Sequence, residues 1–252
     1  MIPPGIPRAA LVTGGSRRLG RAIALALAEQ GIAIAIHHNQ SDPTSTAAEI
    51  RALGVPVVTL RADLAREAEV ETLLPAAMQA LGPIGILINN ASTFERDSYD
   101  NVTRASWDAH IEPNLRAPFL LTQAFAKSLP PANEGCILNL LDERVWSLTP
   151  HFVSYTISKS ALWTLTRTMA LALAPRIRVN GIGPGPALPS IHQTNAQYAR
   201  QAASVPLGHG TTPEEVARIA IALISFTSVT GQMIAPDGGQ HLQWGASRVS
   251  ED

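Results

Sequence analysis

Short apolar runs alternate with longer segments of helical periodicity from the start of the chain. Residues 9–12, 33–36, 55–60 and 84–88 are apolar or β-branched and predict strands, while residues 21–30, 46–53 and 68–80 repeat their apolar positions at helical spacing. Strand, helix and strand at that interval predict right-handed crossovers and a doubly wound α/β domain, with a mostly or wholly parallel sheet flanked by helices on both faces. No internal repeat, low-complexity tract or linker interrupts the pattern, so residues 1–252 are expected to form a single domain. A further strand at 177–182 runs into a stretch rich in Gly and Pro at 181–189. That stretch is read as an active-site loop and not as a domain boundary.

Composition narrows the class more than it defines it. At 252 residues and 46% hydrophobic content, the chain can bury the core of one sizeable domain. A formal net charge of -1 with 15% charged residues offers no basic footprint for nucleic acid or for anionic lipid. A lone Cys136 excludes an internal disulfide and a cysteine-based zinc site, which fits a reducing compartment. The start of the chain has no apolar signal-peptide core, and no apolar run is long enough to span a bilayer, so a cytoplasmic location is expected.

The candidate chemistry lies at the carboxyl ends of the strands, where open α/β sheets bind ligands. Thr13-Gly14-Gly15-Ser16-Arg17-Arg18-Leu19-Gly20 joins the first strand to an apolar helix. Glycines there let the backbone approach a pyrophosphate, and the helix N-terminus favours its charge, which points to a Rossmann-type dinucleotide site. The second strand ends at His37-His38-Asn39-Gln40-Ser41, without the acid that an NAD site places near the adenosine ribose. Arg17 is therefore expected to face a 2′-phosphate, with Ser41 and Asn39 as neutral donors, and NADPH is favoured over NADH. The adjacent histidines would point to opposite faces of a strand, so no metal is expected. Asp63, in Ala62-Asp63-Leu64, either accepts from an adenine amino group or caps the next helix.

After the fourth strand comes Asn89-Asn90-Ala91-Ser92-Thr93-Phe94, whose small polar residues fit close passage of a cofactor. Phe94 could stack on a flat ligand or pack against the sheet. Asn114, beside Pro113, interrupts what otherwise reads as a long helix; its amide could hold a water or simply mark a kink. Tyr155 and Lys159 are four apart and share one helix face, where a nearby cation is expected to lower the phenol's pKa and make it a usable acid. The helical run 158–173 is apolar over much of its surface, with Trp163 and Leu165 as candidate subunit contacts. Residues 188–206 could close over a substrate with Ile191, His192 and Tyr198 lining it, or form a surface helix.

The glycine turn, Asn89-Asn90-Ala91-Ser92, Asn114, Tyr155 with Lys159, Pro184-Gly185, and Thr230-Gly231-Gln232 followed by Asp237-Gly238-Gly239 together resemble the short-chain dehydrogenases/reductases over nearly the whole chain. Arg18 in the turn, Ser92-Thr93-Phe94, Asp142 and residues 177–185 are most similar to the pteridine reductases and dihydromonapterin reductases. The family normally carries a serine at the position of Asp142, where its hydroxyl donates to a substrate carbonyl. An ionised aspartate has no proton to donate, so a heterocycle with a C=N bond suits it better than a ketone. A second departure is Gln40, where an arginine commonly precedes the serine after the second strand.

This resemblance implies NADPH-dependent reduction of a dihydropteridine by a homotetramer, with Asp142, Tyr155, Lys159 and Asn114 catalytic. It implies cofactor contacts from Gly14, Ser16, Arg17, Arg18, Leu19, Gly20, His38, Asn39, Ser41, Asp63, Leu64, Asn90, Ala91, Ser92, Tyr155, Lys159, Pro184 and Gly185. The pterin would touch Arg18, Ser92, Phe94, Asp142, Tyr155, Pro186 and Leu188, with a substrate loop around 183–206. A carbonyl reductase of the same family, acting on 3-oxoacyl, sugar or quinone substrates, and a non-catalytic NADP-binding sensor are the alternatives.

Overall fold

The computed structural model describes residues 1–189 and 193–242. Among the described residues seven strands form one sheet: β1 (Ala9–Val12), β2 (Ala33–His38), β3 (Val57–Arg61), β4 (Ile86–Asn89), β5 (Gly135–Leu140), β6 (Ile177–Ile182) and β7 (Met233–Ile234). Every pairing is parallel, in the order β3-β2-β1-β4-β5-β6-β7. The order reverses between β1 and β4, which opens a crevice at the carboxyl ends of these two strands.

Alternation along each strand builds two core layers. Val12, Ile34, Ile36, Ile86 and Ile88 pack with Ile23, Ala24 and Leu27 of α1 (Arg18–Glu29) and with Val216, Ala220 and Leu223 of α8 (Pro213–Ser225). Leu11, Ala35, Leu87, Ile137 and Val179 face the other way, onto Leu73, Leu74 and Ala77 of α3 (Glu67–Leu81) and Leu121 and Phe125 of α5 (Ala117–Ser128). Each fully buried Leu or Ile contributes roughly 1.5–3 kcal/mol of transfer free energy, so the two layers hold the sheet rigid under the crevice. The remaining helices are α2 (Thr44–Ala52), α4 (Arg104–Ile111), α6 (Val153–Ala172) and α7 (Asn195–Ser204). Among the described residues no helix is long and apolar enough to cross a membrane.

Two local features differ from expectation. The first helix starts at Arg18, earlier than residue 21, and so draws Gly20 into its first turn. A Cβ at Gly20 would lie 2.2 Å from the Gly14 carbonyl oxygen, so only glycine lets the helix pack onto the turn. The long helix expected around Asn114 is continuous but wider there, because Glu112–Arg116 forms a π-helical turn between α4 and α5. Trp163 and Leu165 are half-buried against Leu141, Leu162 and Met233 of the same chain.

Candidate active site

A cavity of about 200 Å³ lies at the carboxyl ends of β4, β5 and β6. Arg18 and Leu19 from the glycine turn, Asn90 and Ser92 after β4, and Leu140, Leu141 and Asp142 at the end of β5 form part of its wall. Tyr155 and Lys159 of α6 face them, and Pro184, Gly185, Ala187 and Leu188 close the side after β6. Residues from five separate stretches of sequence thus meet in one crevice.

Tyr155 is 5% exposed and donates its hydroxyl to Asp142 Oδ2 at 2.7 Å. Lys159 Nζ donates to the Leu140 carbonyl at 2.7 Å and stands 5.8 Å from the Tyr155 ring centre. Asp142 is fixed in turn, because its Oδ1 accepts the Arg144 backbone N–H at 2.9 Å. The expected lowering of the tyrosine pKa by the lysine does not occur here. Burial pushes the phenol well above its ordinary value, and the charge and hydrogen bond of Asp142 push it further the same way. Tyr155 is therefore held as a protonated acid. Burial also moves Lys159 down to about 8, against the pull of Asp142. As pH rises through about 8 the cation is lost, so kcat/KM is expected to fall there with unit slope if the site needs that charge. A pH profile flat across that point would show that the charge of Lys159 is not used.

Asn114 is fully buried and has no atom in the cavity wall. Its Oδ1 accepts from Thr93 N at 2.8 Å and Ser92 Oγ at 3.2 Å, while Nδ2 donates to the Thr93 carbonyl at 3.0 Å and to Ser158 Oγ at 3.1 Å. Those bonds turn both protons and the oxygen of the amide inward, onto Ser92, Thr93 and Ser158. Asn114 is a positioning residue: it ties the loop after β4 to α6, and the π-helical turn aims it there.

Phe94 also departs from expectation. Its ring stacks on Phe152 with centres 4.5 Å apart and planes 7° apart, and its neighbour Tyr155 meets it edge-on at 4.7 Å. The Arg144 guanidinium lies 5.5 Å from the Phe94 centre and 5.1 Å from that of Phe152. The ring buttresses Tyr155 and is not part of the cavity wall. Pro186 is likewise outside the wall, and its carbonyl accepts Thr211 N at 3.0 Å and the Tyr198 hydroxyl at 3.4 Å. The stretch 188–206 contains a surface helix, α7, with a Thr194–Gln197 capping box and no fully buried residue. Ile191 and His192 lie outside the described residues.

The nucleotide end of the crevice is built around Thr13 and Asn90. Thr13 Oγ1 accepts from Asn90 N at 2.9 Å and Ala91 N at 3.0 Å, and Asn90 Nδ2 donates to the Thr13 and Gly14 carbonyls at 2.8 and 3.2 Å. Gly14 adopts φ +61°, and its N–H donates to His37 Nδ1 at 3.1 Å. His37 is buried, with Nε2 3.1 Å from the Ala62 carbonyl, so it ties the glycine turn after β1 to the segment that follows β3. The first turn of α1 has no side-chain cap, leaving its N–H groups available for an anion over a floor of glycines. These features fit a dinucleotide pyrophosphate.

Arg18 takes the left-handed φ of 52° and clamps the later loop through Nη1 to the Pro189 carbonyl at 2.9 Å. Ser16 and Ser41 share a 2.5 Å hydrogen bond. Asp63 neither caps α3, whose N-cap is Arg66, nor stands free: it accepts from Ala65 N at 3.0 Å. The Leu64 side chain is buried in the core with Val70 and Leu73.

A second, open cavity of about 400 Å³ lies at the carboxyl ends of β2 and β3, lined by His38, Asn39, Gln40, Ser41, Asp42, Pro43 and Arg61. Arg17 is exposed on the turn outside this wall.

Several supporting residues carry no sequence signal of their own. Behind Tyr155, the buried Ser154 hydroxyl donates to Asp97 and lies 2.7 Å from His110 Nδ1, while Glu95 N donates to His110 Nε2 at 3.0 Å. The acceptor role of Nε2 places the proton of neutral His110 on Nδ1, and the chain of bonds locks α4 to the start of α6. Asn89, Asn139 and Thr166 form a second buried ladder, with both links at 2.8 Å. Gly185 lies against Asp237, where a Cβ would come within 2.8 Å of the Asp237 Cα, which accounts for the pairing of the two late glycine motifs.

A family model described as Enoyl-(Acyl carrier protein) reductase matches residues 14–241. The crystal structure of FolM alternative dihydrofolate reductase 1 from Brucella canis, complexed with NADP, is 43% identical and superimposes with a TM-score of 0.90 over 96% of this chain and 98% of that one. The 3-oxoacyl-[acyl-carrier-protein] reductase of Synechocystis sp. is 32% identical, with 91% of this chain and 95% of the relative covered. A short-chain type dehydrogenase/reductase of Picea abies is 30% identical over 92% of each chain.

Proposed function

Because the chain belongs to the short-chain dehydrogenase/reductase family, we propose that it reduces a dihydropteridine, of the dihydrobiopterin, dihydromonapterin or dihydrofolate kind, to the tetrahydro form with NADPH. The observation that carries this reading is the Asp142 carboxylate 2.7 Å from the Tyr155 hydroxyl, in place of a hydroxyl donor. A carboxylate accepts from the N–H groups of a heterocycle and repels the lone pairs of a ketone oxygen. The 43% identity to a dihydrofolate reductase of this fold supports the same substrate class.

NADPH, when bound, supplies a hydride to the carbon of the C=N bond. Tyr155 gives its proton to the ring nitrogen, so one C–H and one N–H bond form. Lys159 offsets the phenolate charge left behind. Asp142 touches the phenol and keeps 16% of its side-chain surface open, so it is the path by which a proton returns from solvent. Arg18, in the cavity wall, ties the turn to the loop at Pro189. The rest of the fold contributes position and electrostatics.

Reduction of 3-oxoacyl or other carbonyl compounds is the second reading, favoured by the similarity to the Synechocystis enzyme. NADPH oxidation measured against dihydropteridines, dihydrofolate and simple ketones separates the two. Dihydropteridines or dihydrofolate are expected to rank first, and ketones at the head of the ranking would overturn the proposal.

A further inference from the structure

We propose that Arg61, at the end of β3, is the side chain that recognises the 2′-phosphate and so sets the preference for NADPH over NADH. The inference rests on the NADPH reading above and assigns a role to a residue outside the motifs that suggested it. In the parallel pairing of β2 with β3, Arg61 is the register partner of His38. Register partners on adjacent strands present their side chains on the same face, and both line the 400 Å³ cavity with Asn39, Gln40 and Ser41. That places a cation in the lining of the same cavity as Gln40.

Arg61 is exposed and makes no hydrogen bond or ion pair with any described residue. Its neighbours differ: Arg21 is paired with Glu49, and Arg66 with Asp63 and Glu69. A guanidinium presents a planar fork suited to two phosphate oxygens, and it keeps its charge at any working pH.

The same cavity holds a carboxylate, Asp42, which works against a phosphate and could accept from ribose hydroxyls. Its Oδ1 already takes the Thr44 N–H at 2.9 Å and the Thr44 hydroxyl at 2.6 Å, bonds that hold it as an anion at the start of α2. With Asn39, Gln40 and Ser41 neutral and Arg17 outside the wall, Arg61 and Asp42 are the fixed charges of the lining, beside the titratable His38. Removing Arg61 leaves an acidic cavity that disfavours the phosphorylated cofactor.

Calorimetric titration of the full chain with NADP⁺ and with NAD⁺, without a second substrate, tests this directly. Arg61→Gln is expected to weaken NADP⁺ binding by roughly tenfold or more, the scale of one charge-assisted contact, while NAD⁺ affinity stays within about twofold. Gln40→Arg added to Arg61→Gln is expected to restore the preference from another position of the same lining. If Arg61→Gln keeps the wild-type ratio and Arg17→Gln loses it, the turn arginine is the reader and the assignment to Arg61 is wrong, though the NADPH reading stands. Wild-type protein that binds neither nucleotide, or both alike, would overturn the NADPH reading and this inference with it.

Discussion

Replacing Tyr155 by phenylalanine is expected to lower kcat by about a hundredfold to ten-thousandfold, the range that a positioned general acid supplies. The change removes one oxygen from a ring whose packing is otherwise complete. Phe94 meets the ring edge-on at 4.7 Å, and His110 lies 6.1 Å away on another side. The fold should therefore survive, with an unfolding midpoint close to that of the wild type. The affinity for NADP⁺ should also change little, since the lost hydroxyl bonds to Asp142 and not to the glycine turn. Asp142 loses its tyrosine donor but keeps the Arg144 N–H, so no buried carboxylate is stranded. Steady-state turnover beside calorimetric NADP⁺ binding makes the distinction. Wild-type turnover in the variant would mean that another group supplies the proton and that Tyr155 only shapes the crevice.

How far these features could be read in advance depended on whether each is local. The parallel sheet was legible because β1, β2 and β4 are short apolar runs with helical segments between them, and that alternation admits few topologies. β5 and α8 were not read from the sequence, although Val216, Ala217, Ala220, Leu223 and Ile224 of α8 recur at helical spacing behind a Thr212 cap. Gly135–Leu140 is buried along its whole length, as β1 and β4 are, but its apolar run is only Cys136–Leu138, bounded by Gly135 and Asn139. The residues gathered in the crevice were readable as motifs, since the glycine turn, Asn90, Tyr155, Lys159 and Pro184 each stand at a strand end or on one helix face.

What the motifs could not carry was environment. Desolvation decides the Tyr155 and Lys159 pKa values, and burial is a property of the folded chain. Phe94 found its partner in Phe152, which lies at a left-handed residue just before α6, and no spacing rule connects the two. The π-helical turn was visible only as an interruption, and its consequence, an amide turned onto Ser92, Thr93 and Ser158, needs coordinates to see. Arg61 is the same kind of case. Its neighbour across the sheet is set by strand register, so a reading confined to the turn after β2 stops at Gln40.

Replacing Asp142 by serine is the change expected to separate C=N from C=O chemistry. The carboxylate accepts the Tyr155 hydroxyl and stands in the cavity wall, so under the pterin reading its loss removes the acceptor for a substrate N–H and the path for proton return. Dihydropteridine turnover should then fall by roughly ten- to a hundredfold, the scale of one hydrogen bond to a charged group. Serine also introduces a donor, which suits a ketone oxygen. Reduction of simple ketones should therefore rise in the same protein, and it is this opposite movement of two substrates that a general loss of fold cannot imitate. The charge of Asp142 is also one cause of the high Tyr155 pKa, and removing it should bring the phenol down toward its ordinary value. That shift can be followed by ultraviolet titration of the tyrosines, with Tyr155→Phe identifying the signal. If Asp142→Ser instead raises the rate on ketones and leaves the dihydropteridine rate unchanged, the aspartate has no part in binding a heterocycle, and carbonyl reduction becomes the better account of the site.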